Sequence, residues 1–307
     1  MCRALLYLGE PVLLDNFLYQ PDSALVRQSY MPKMLNMLNL AGFGLRAWDP
    51  ASNDPERPYS YYSQQLPVFD RNLKHLAEKV RAACLLAHVR GVAYHTRVEI
   101  SLQNCHPFHF SNVPLVLAHN GDLARFAEMK SLLAGEIKPV FRSQIHGTTD
   151  SEWVYALIVS QLPEPYQPAG ADQLARAIER AIDIIRDARR KLGITVSSSL
   201  NLFIADGTQI AAARYCFDFG RYATAEAARL HEANLSYLSL WYTAGRNYGL
   251  HDGEWKMTGG SDNATSILVA SEPLTKDTAA WVEVPEYALF QATLGTKKPV
   301  VSIRNLG

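Results

Sequence analysis

A cysteine stands directly behind the initiator methionine, in MCRALLYLGE. A thiol exposed at a chain end is prone to oxidation, so the placement asks for a chemical reason. Removal of Met1, which a side chain as small as that of Cys2 permits, would leave a residue with both a thiol and a free α-amine. Such an amine titrates near ~7.7–8.0, against about 10.4 for lysine, so much of it is unprotonated at neutral pH. It can take the proton of its own side chain, directly or through one water. A thiolate that attacks a carbonyl then needs donors aimed at the oxyanion. LVLAHNG offers them: the side-chain amide of Asn120 and the unobstructed backbone N–H of Gly121. The same Asn-Gly pair also fits a type I′ hairpin turn.

The region from His88 to Glu152 is the other chemically dense stretch. Five of the nine histidines lie between His88 and His119, and Cys105–His106 sits close to His109 and His119. A metal reading fails on spacing, because there is no H-x-x-x-H on a helix pattern and no paired cysteine. Histidines hydrogen-bonded at strand ends explain the cluster better. Cys84, Cys105 and Cys216 sit in or beside apolar runs and read as small buried hydrophobes.

These residues need strands and helices to hold them. CRALLYLG (Cys2 to Gly9) reads as a strand buried on both faces. NLAGFGLRAWDP carries Gly42 and Gly44 in an apolar run, as a strand does when other backbone lies close. ASNDPERPYSYYSQQ reads as an exposed loop. Asp70 caps a helix with Leu73, Leu76, Val80 and Ala83 on one face, and CLLAHVR returns to strand. Ala171 to Leu192 is the plainest helix, with Leu174, Ile178, Ile182 and Ile185 inward and Gly193 ending it. SLNLFIADGTQIAAARYCF predicts a hairpin with Asp206–Gly207 as its turn, and LSLWYTAG and ATSILVASEPL predict further strands. No repeat or long linker divides the chain. The pattern is α+β, two packed sheets covered by helices.

Bulk properties narrow the class. With 30 basic and 30 acidic residues the formal net charge is zero, which offers nothing to a nucleic acid or a charged membrane surface. No stretch approaches the roughly 18–20 apolar residues of a membrane span, and no secretory leader is expected. Four scattered cysteines make no disulfide framework, so a reducing cytoplasm is the expected compartment.

Taken together, Cys2, AHVR ending in Arg90, NCHPF (Asn104 to Phe108), HNG (His119 to Gly121) and TTDSE (Thr148 to Glu152) resemble the class II glutamine amidotransferases, which are N-terminal-nucleophile hydrolases. LLYLGEPVLLDNFLYQPDSALVRQS and ILVASEPLTKDTAAWVEVP are similar to the stand-alone branch, which includes the ergothioneine-pathway and glutathione-degradation amidohydrolases. The resemblance covers nearly the whole chain. It implies a four-layer αββα sandwich, one domain over residues 2–307, with Cys2 as nucleophile and Asn120 and Gly121 as the oxyanion hole. It gives Arg90 the α-carboxylate of a glutamine or γ-glutamyl group, a task that suits a planar guanidinium fork. Asp150 would take the α-ammonium, with the Gly121 carbonyl beside it. His106 and Thr149 would support the site. Arg97, in HTR, is a second candidate for the carboxylate, and Arg90 is preferred because it ends an apolar strand.

Each assignment has a plain counterpart: Arg90 as a surface arginine, Asp150 as a helix N-cap. The implied reaction needs neither metal nor organic cofactor, because nucleophile, base and oxyanion hole are protein groups. No GxxxxGK[ST] loop is present, so ammonia would pass to a separate synthetase subunit, or a γ-glutamyl amide would be cleaved for its own sake. A non-catalytic binding protein on the same fold is one alternative. A penicillin-acylase-like amidase is another, but it leaves Arg90 and Asp150 unexplained.

Overall fold

Strand β1 (Arg3–Leu13) is apolar on both faces, with Ala4, Leu6 and Leu8 on one side and Leu5 and Tyr7 on the other, all fully buried. Such a strand has to be covered twice. The computed structural model, which describes residues 2–34, 38–92, 99–221, 239–295 and 298–307, shows how. β1 lies mid-sheet between β4 (Arg81–Val89) and β12 (Ser266–Ala270), antiparallel to both, with Arg3 opposite Val89 and Leu5 opposite Ala270. β2 (Phe43–Trp48) and β3 (Tyr59–Ser63) extend this sheet beyond β4, and β9 (Trp241–Gly245) and β13 (Val282–Glu283) extend it beyond β12.

The second sheet runs β15 (Val300–Asn305), β14 (Ala288–Thr293), β7 (Gln209–Arg214), β6 (Ser198–Ala205) and β5 (Val116–Gly121), also antiparallel. A short β8 (Cys216–Phe217) pairs with the start of β6. The two sheets meet through Leu6, Leu86 and Val269 on one side and Val116, Phe203 and Phe290 on the other. Helices α3 (Phe126–Ala134), α4 (Pro139–Arg142), α5 (Asp150–Gln161) and α6 (Ala171–Lys191) cover the outer face of the second sheet. The outer face of the first is covered by α1 (Asp15–Leu18), α2 (Arg71–Ala77) and the hairpin of β10 (Asn247–His251) and β11 (Glu254–Thr258). This is the αββα order, with one helical layer thick and the other thin.

The long helix forms as its periodicity requires, and Gly193 follows it with φ +60°, the left-handed conformation that ends helices. Asp70 caps α2 by accepting from the Leu73 N–H at 3.1 Å. Three expectations need correction. α2 stops at Ala77, and Ala83 belongs to β4, because residues from Arg81 onward pair with β1. Tyr59–Ser63, expected as loop, adds an edge strand to β2. The β6–β7 loop is centred one residue later than expected, on Gly207–Thr208. Asp206 stays on the strand side and accepts from the N–H groups of Thr208 and Gln209, leaving Gly207 to take φ +95°.

Candidate active site

Strand alternation carries the intersheet layer to a polar end. Two residues before Ala4 on the same face comes Cys2. Two and four after Leu86 come His88 and Arg90, two after Ala118 comes Asn120, and two after Val269 comes Ser271. All five are buried, Cys2 at 8 % exposure. Cys2, Arg90 and Asn120 therefore share one end of one layer, though they come from three strands and both sheets.

Cys2 is fixed from two sides. Its Sγ accepts from the Gly91 N–H at 3.3 Å, next to Arg90. Its carbonyl accepts from Arg3 Nη1 at 3.0 Å. Arg3 faces the opposite side of the sheet, where its Nε meets Glu272 Oε2 at 3.1 Å. Glu272, wholly buried, also accepts from Ser23 Oγ and from the backbone N–H groups of Lys33 and Met34.

A chain of hydrogen bonds runs from Arg90 round to the segment just after Gly121. Arg90 Nη1 donates to the Glu99 carbonyl at 3.0 Å, and Asn104 Nδ2 donates to the same oxygen at 3.1 Å. Asn104 binds Thr148 twice, donating to Oγ1 and accepting from its N–H. Thr149 caps α5 by accepting from the Glu152 N–H, and Glu152 turns back to accept from His146 and Gly147. Asp150 opens the first turn, and its Oδ2 accepts from the Leu123 N–H at 2.6 Å, two residues beyond Gly121. The motifs NCHPF, HNG and TTDSE are thus one bonded frame.

Known proteins similar to this chain place it in a family. The sequence model for "Glutamine amidotransferases class-II" matches residues 46–234. The "probable glutamine amidotransferase DUG3" of Saccharomyces cerevisiae is 30% identical over 308 residues, covering 94% of this chain and 81% of its own. The chain belongs to the class II glutamine amidotransferases. The gamma-glutamyl-hercynylcysteine sulfoxide hydrolase of Mycolicibacterium smegmatis is 26% identical over 69% of this chain and 78% of its own. Among solved structures, the glutamine aminotransferase class-II domain protein of Silicibacter pomeroyi superposes with a TM-score of 0.58 at 20% identity, covering both chains entirely. The glutamine phosphoribosylpyrophosphate amidotransferase of B. subtilis gives 0.56 at 15% identity over 49% of its chain. These last two speak to the fold alone. The amidotransferase is, as its family is, an enzyme on an N-terminal-nucleophile hydrolase fold.

Within this amidotransferase, two turn readings are overturned. Asn120 and Gly121 lie inside β5, opposite Asn201 and Leu200, and make no hairpin turn. Gly121 is needed for close approach, because a Cβ there would stand 2.1 Å from the Ser199 carbonyl oxygen. Thr149, not Asp150, is the N-cap of α5, which leaves the Asp150 carboxylate facing the β5 end. Asn120 Oδ1 is buried with no partner among the described residues. Arg97 and Met1 lie outside the described residues. Among those described, no group of three or more His, Cys, Asp or Glu side chains is placed to hold a metal. Arg90 is buried, which rules out the surface-arginine reading.

His106 packs on His88 with ring centroids 4.1 Å apart, and the segment carrying it crosses β2 where Gly44 has no side chain. A Cβ on Gly44 would stand 2.1 Å from the His106 carbonyl oxygen. Burial, then the neighbouring Arg90 charge, lowers His88 to about 3, and burial with the His88 ring beside it pushes His106 well below the usual range. Both are neutral in the fold. A base held below its unfolded value binds more protons when unfolded, so stability is full above about 6.5 and falls as pH drops toward about 3. By pH 5 His88 alone should cost about 2 kcal/mol, and His106 adds in the same direction. Urea unfolding at pH 7.5 and 5 measures this; equal free energies at the two values would refute it.

Sequence reasoning missed Arg3, Glu272 and Ser151 as members of the site's framework. A signal existed for the first two: a charge at the second position of an otherwise apolar strand implies a buried partner.

Proposed function

We propose that Cys2, freed of Met1, is the nucleophile of a glutaminase-type amidohydrolase. Its α-amine takes the thiol proton, and the thiolate attacks the γ-carboxamide carbon of glutamine or a γ-glutamyl amide. The Asn120 side-chain amide and the Gly121 N–H hold the oxyanion. The C–N bond breaks, ammonia or an amine leaves with the proton, and a γ-glutamyl thioester remains. Water hydrolyses the thioester, giving glutamate and the thiol. Arg90 grips the α-carboxylate, and Asp150 with the Gly121 carbonyl grips the α-ammonium. His106 and Thr149 support the frame, His106 as a neutral ring and Thr149 as the helix cap. The observation that carries the reading is the convergence of Cys2, buried Arg90 and Asn120 at one polar end of the intersheet layer.

Residues 2–307 form one amidotransferase domain in this reading, and ammonia passes to a separate synthetase subunit. The named hydrolases among the relatives favour a second outcome, cleavage of a specific γ-glutamyl amide without ammonia transfer. Four free cysteines, all buried, suit a reducing compartment such as the cytoplasm. No described helix is long and apolar enough to cross a membrane.

Intact mass of protein made in its native host, paired with glutamate release from glutamine and a panel of γ-glutamyl amides, tests this. Loss of the Met1 mass and release that vanishes in Cys2→Ala are expected. A chain that keeps Met1 and releases no glutamate from any of them would sink the reading, while the preferred amide on the panel separates the two outcomes.

A further inference from the structure

The geometry points to Ser151 as a positioning residue that transmits the protonation state of His119 to Asp150. This rests on Asp150 as the acceptor of the substrate α-ammonium. His119, in β5, alternates away from Asn120 and points into the helical layer. It is buried, with Nε2 3.1 Å from the Ser199 carbonyl oxygen and Nδ1 3.0 Å from Ser151 Oγ. Ser151 Oγ in turn stands 3.2 Å from Asp150 Oδ1. Ser151 is itself buried in the first turn of α5.

Counting protons fixes what this row does. A carbonyl only accepts, so Nε2 of His119 carries a hydrogen in either charge state. In the neutral ring Nδ1 is then bare and claims the single hydroxyl proton of Ser151. Among the described residues, Asp150 then keeps only the Leu123 N–H, on Oδ2. In the imidazolium both ring nitrogens donate. Nδ1–H occupies the Ser151 oxygen, and the hydroxyl proton swings onto Asp150 Oδ1. One proton on His119 thus adds a donor to Asp150 and a positive charge behind it. Both weaken the carboxylate as a seat for an ammonium group.

Among the described residues, the other charged or titratable groups whose charge interacts with His119 are Asp122 just after β5 and, from the intersheet side, His88 of β4 with His106. Arg189 of α6 reaches the same loop through Ser198 Oγ, which accepts from the Ala124 N–H. Glu152 is turned away onto His146 and Gly147. None of them stands between Ser151 and Asp150, so the hydroxyl is the direct link. Linkage makes the coupling reciprocal: seating an α-ammonium on Asp150 expels the proton from His119.

The test uses the Cys2→Ala protein, which holds substrate without turnover. Glutamine should bind about fivefold more weakly at pH 5.5 than at pH 7.5, the lower end of ordinary coupling between linked sites. Calorimetry in buffers of different ionisation heat should show proton release at the lower pH. Adding Ser151→Ala should remove most of the pH dependence. Glutaramate, which lacks the α-ammonium, should show no dependence. Nitrogen NMR of the otherwise unsubstituted protein should find neutral His119 as the Nε2–H tautomer. An Nδ1–H tautomer, or the same pH dependence in the Ser151→Ala background, overturns the proposal. A uniform loss of affinity at both pH values in that background would mean a merely structural serine, and overturns it too. Failure of the proposed function looks different: glutamine then binds at neither pH, whatever the tautomer.

Discussion

Asn120→Ala should lower kcat for glutamate release from glutamine by about 10²–10³-fold, with KM changed little. The ground-state carbonyl of an amide makes modest demands on a donor, whereas the tetrahedral oxyanion concentrates charge on one oxygen. A donor fixed before the reaction then lowers the barrier by about 2.7–4 kcal/mol. Asn120 suits that part because its side chain is buried at the end of the intersheet layer, on the face that Cys2 also meets. Asn120→Asp is the sharper control. It keeps the volume, removes the donor and adds a charge that repels the oxyanion, so it should be at least as damaging to kcat. Steady-state kinetics on Met1-free protein, with thermal melts beside them, decide the matter. A variant that loses melting temperature but keeps kcat would make Asn120 a framework residue and nothing more.

Glu272→Gln should destabilise the fold by about 3–5 kcal/mol, the ordinary cost of removing one partner from a buried ion pair. The two side chains of the Arg3–Glu272 pair are 3% and 1% exposed, so water cannot take the place of the missing charge. The amide is also a poor substitute for hydrogen bonding. Both carboxylate oxygens of Glu272 accept, Oε1 from Ser23 and Lys33 and Oε2 from Arg3 and Met34, while glutamine has one accepting oxygen. Urea midpoints measure the loss. The paired change Arg3→Met with Glu272→Gln should recover part of it, since no uncompensated charge is then left buried and one accepting oxygen remains for the neighbouring donors. Activity should not recover with it, because the Cys2 carbonyl would have lost its Arg3 donor. A Glu272→Gln protein within ~1 kcal/mol of the parent would show that the pair is not holding the N-terminal strand.

Much of this was legible in residue order. Continuous apolar runs announced β1 and β12, and a 3.6-residue period announced α6, because burial on two faces and on one stripe leave those signatures. Gly42 and Gly44 forecast backbone crossing at β2, and His106 is what crosses at Gly44. What could not be read is which side chains face each other. The end of α2 at Ala77 is imposed by pairing to β1, a strand some sixty residues earlier, and no local propensity encodes that. Asp206–Gly207 was recognised as a turn but placed one residue early, because the Asp206 side chain, not a backbone preference, sets the register. The motif residues were visible one by one. That Asn104 binds Thr148, and that Asp150 reaches the end of β5, required the fold.

The place of β1 in its sheet has a consequence for how the protein is made. β1 is made before both of its neighbours, β4 and, far later, β12. Glu272, which anchors Arg3 beside the thiol, lies close behind β12. The N-terminal strand must therefore wait, half paired, through most of translation before its second edge is filled. In the proposed reading, that interval leaves the end ahead of β1 open to the peptidase that would remove Met1. Only a nearly finished chain can seat Cys2 at the end of a fully paired β1, so the site is assembled last, with the residues that complete the sheet.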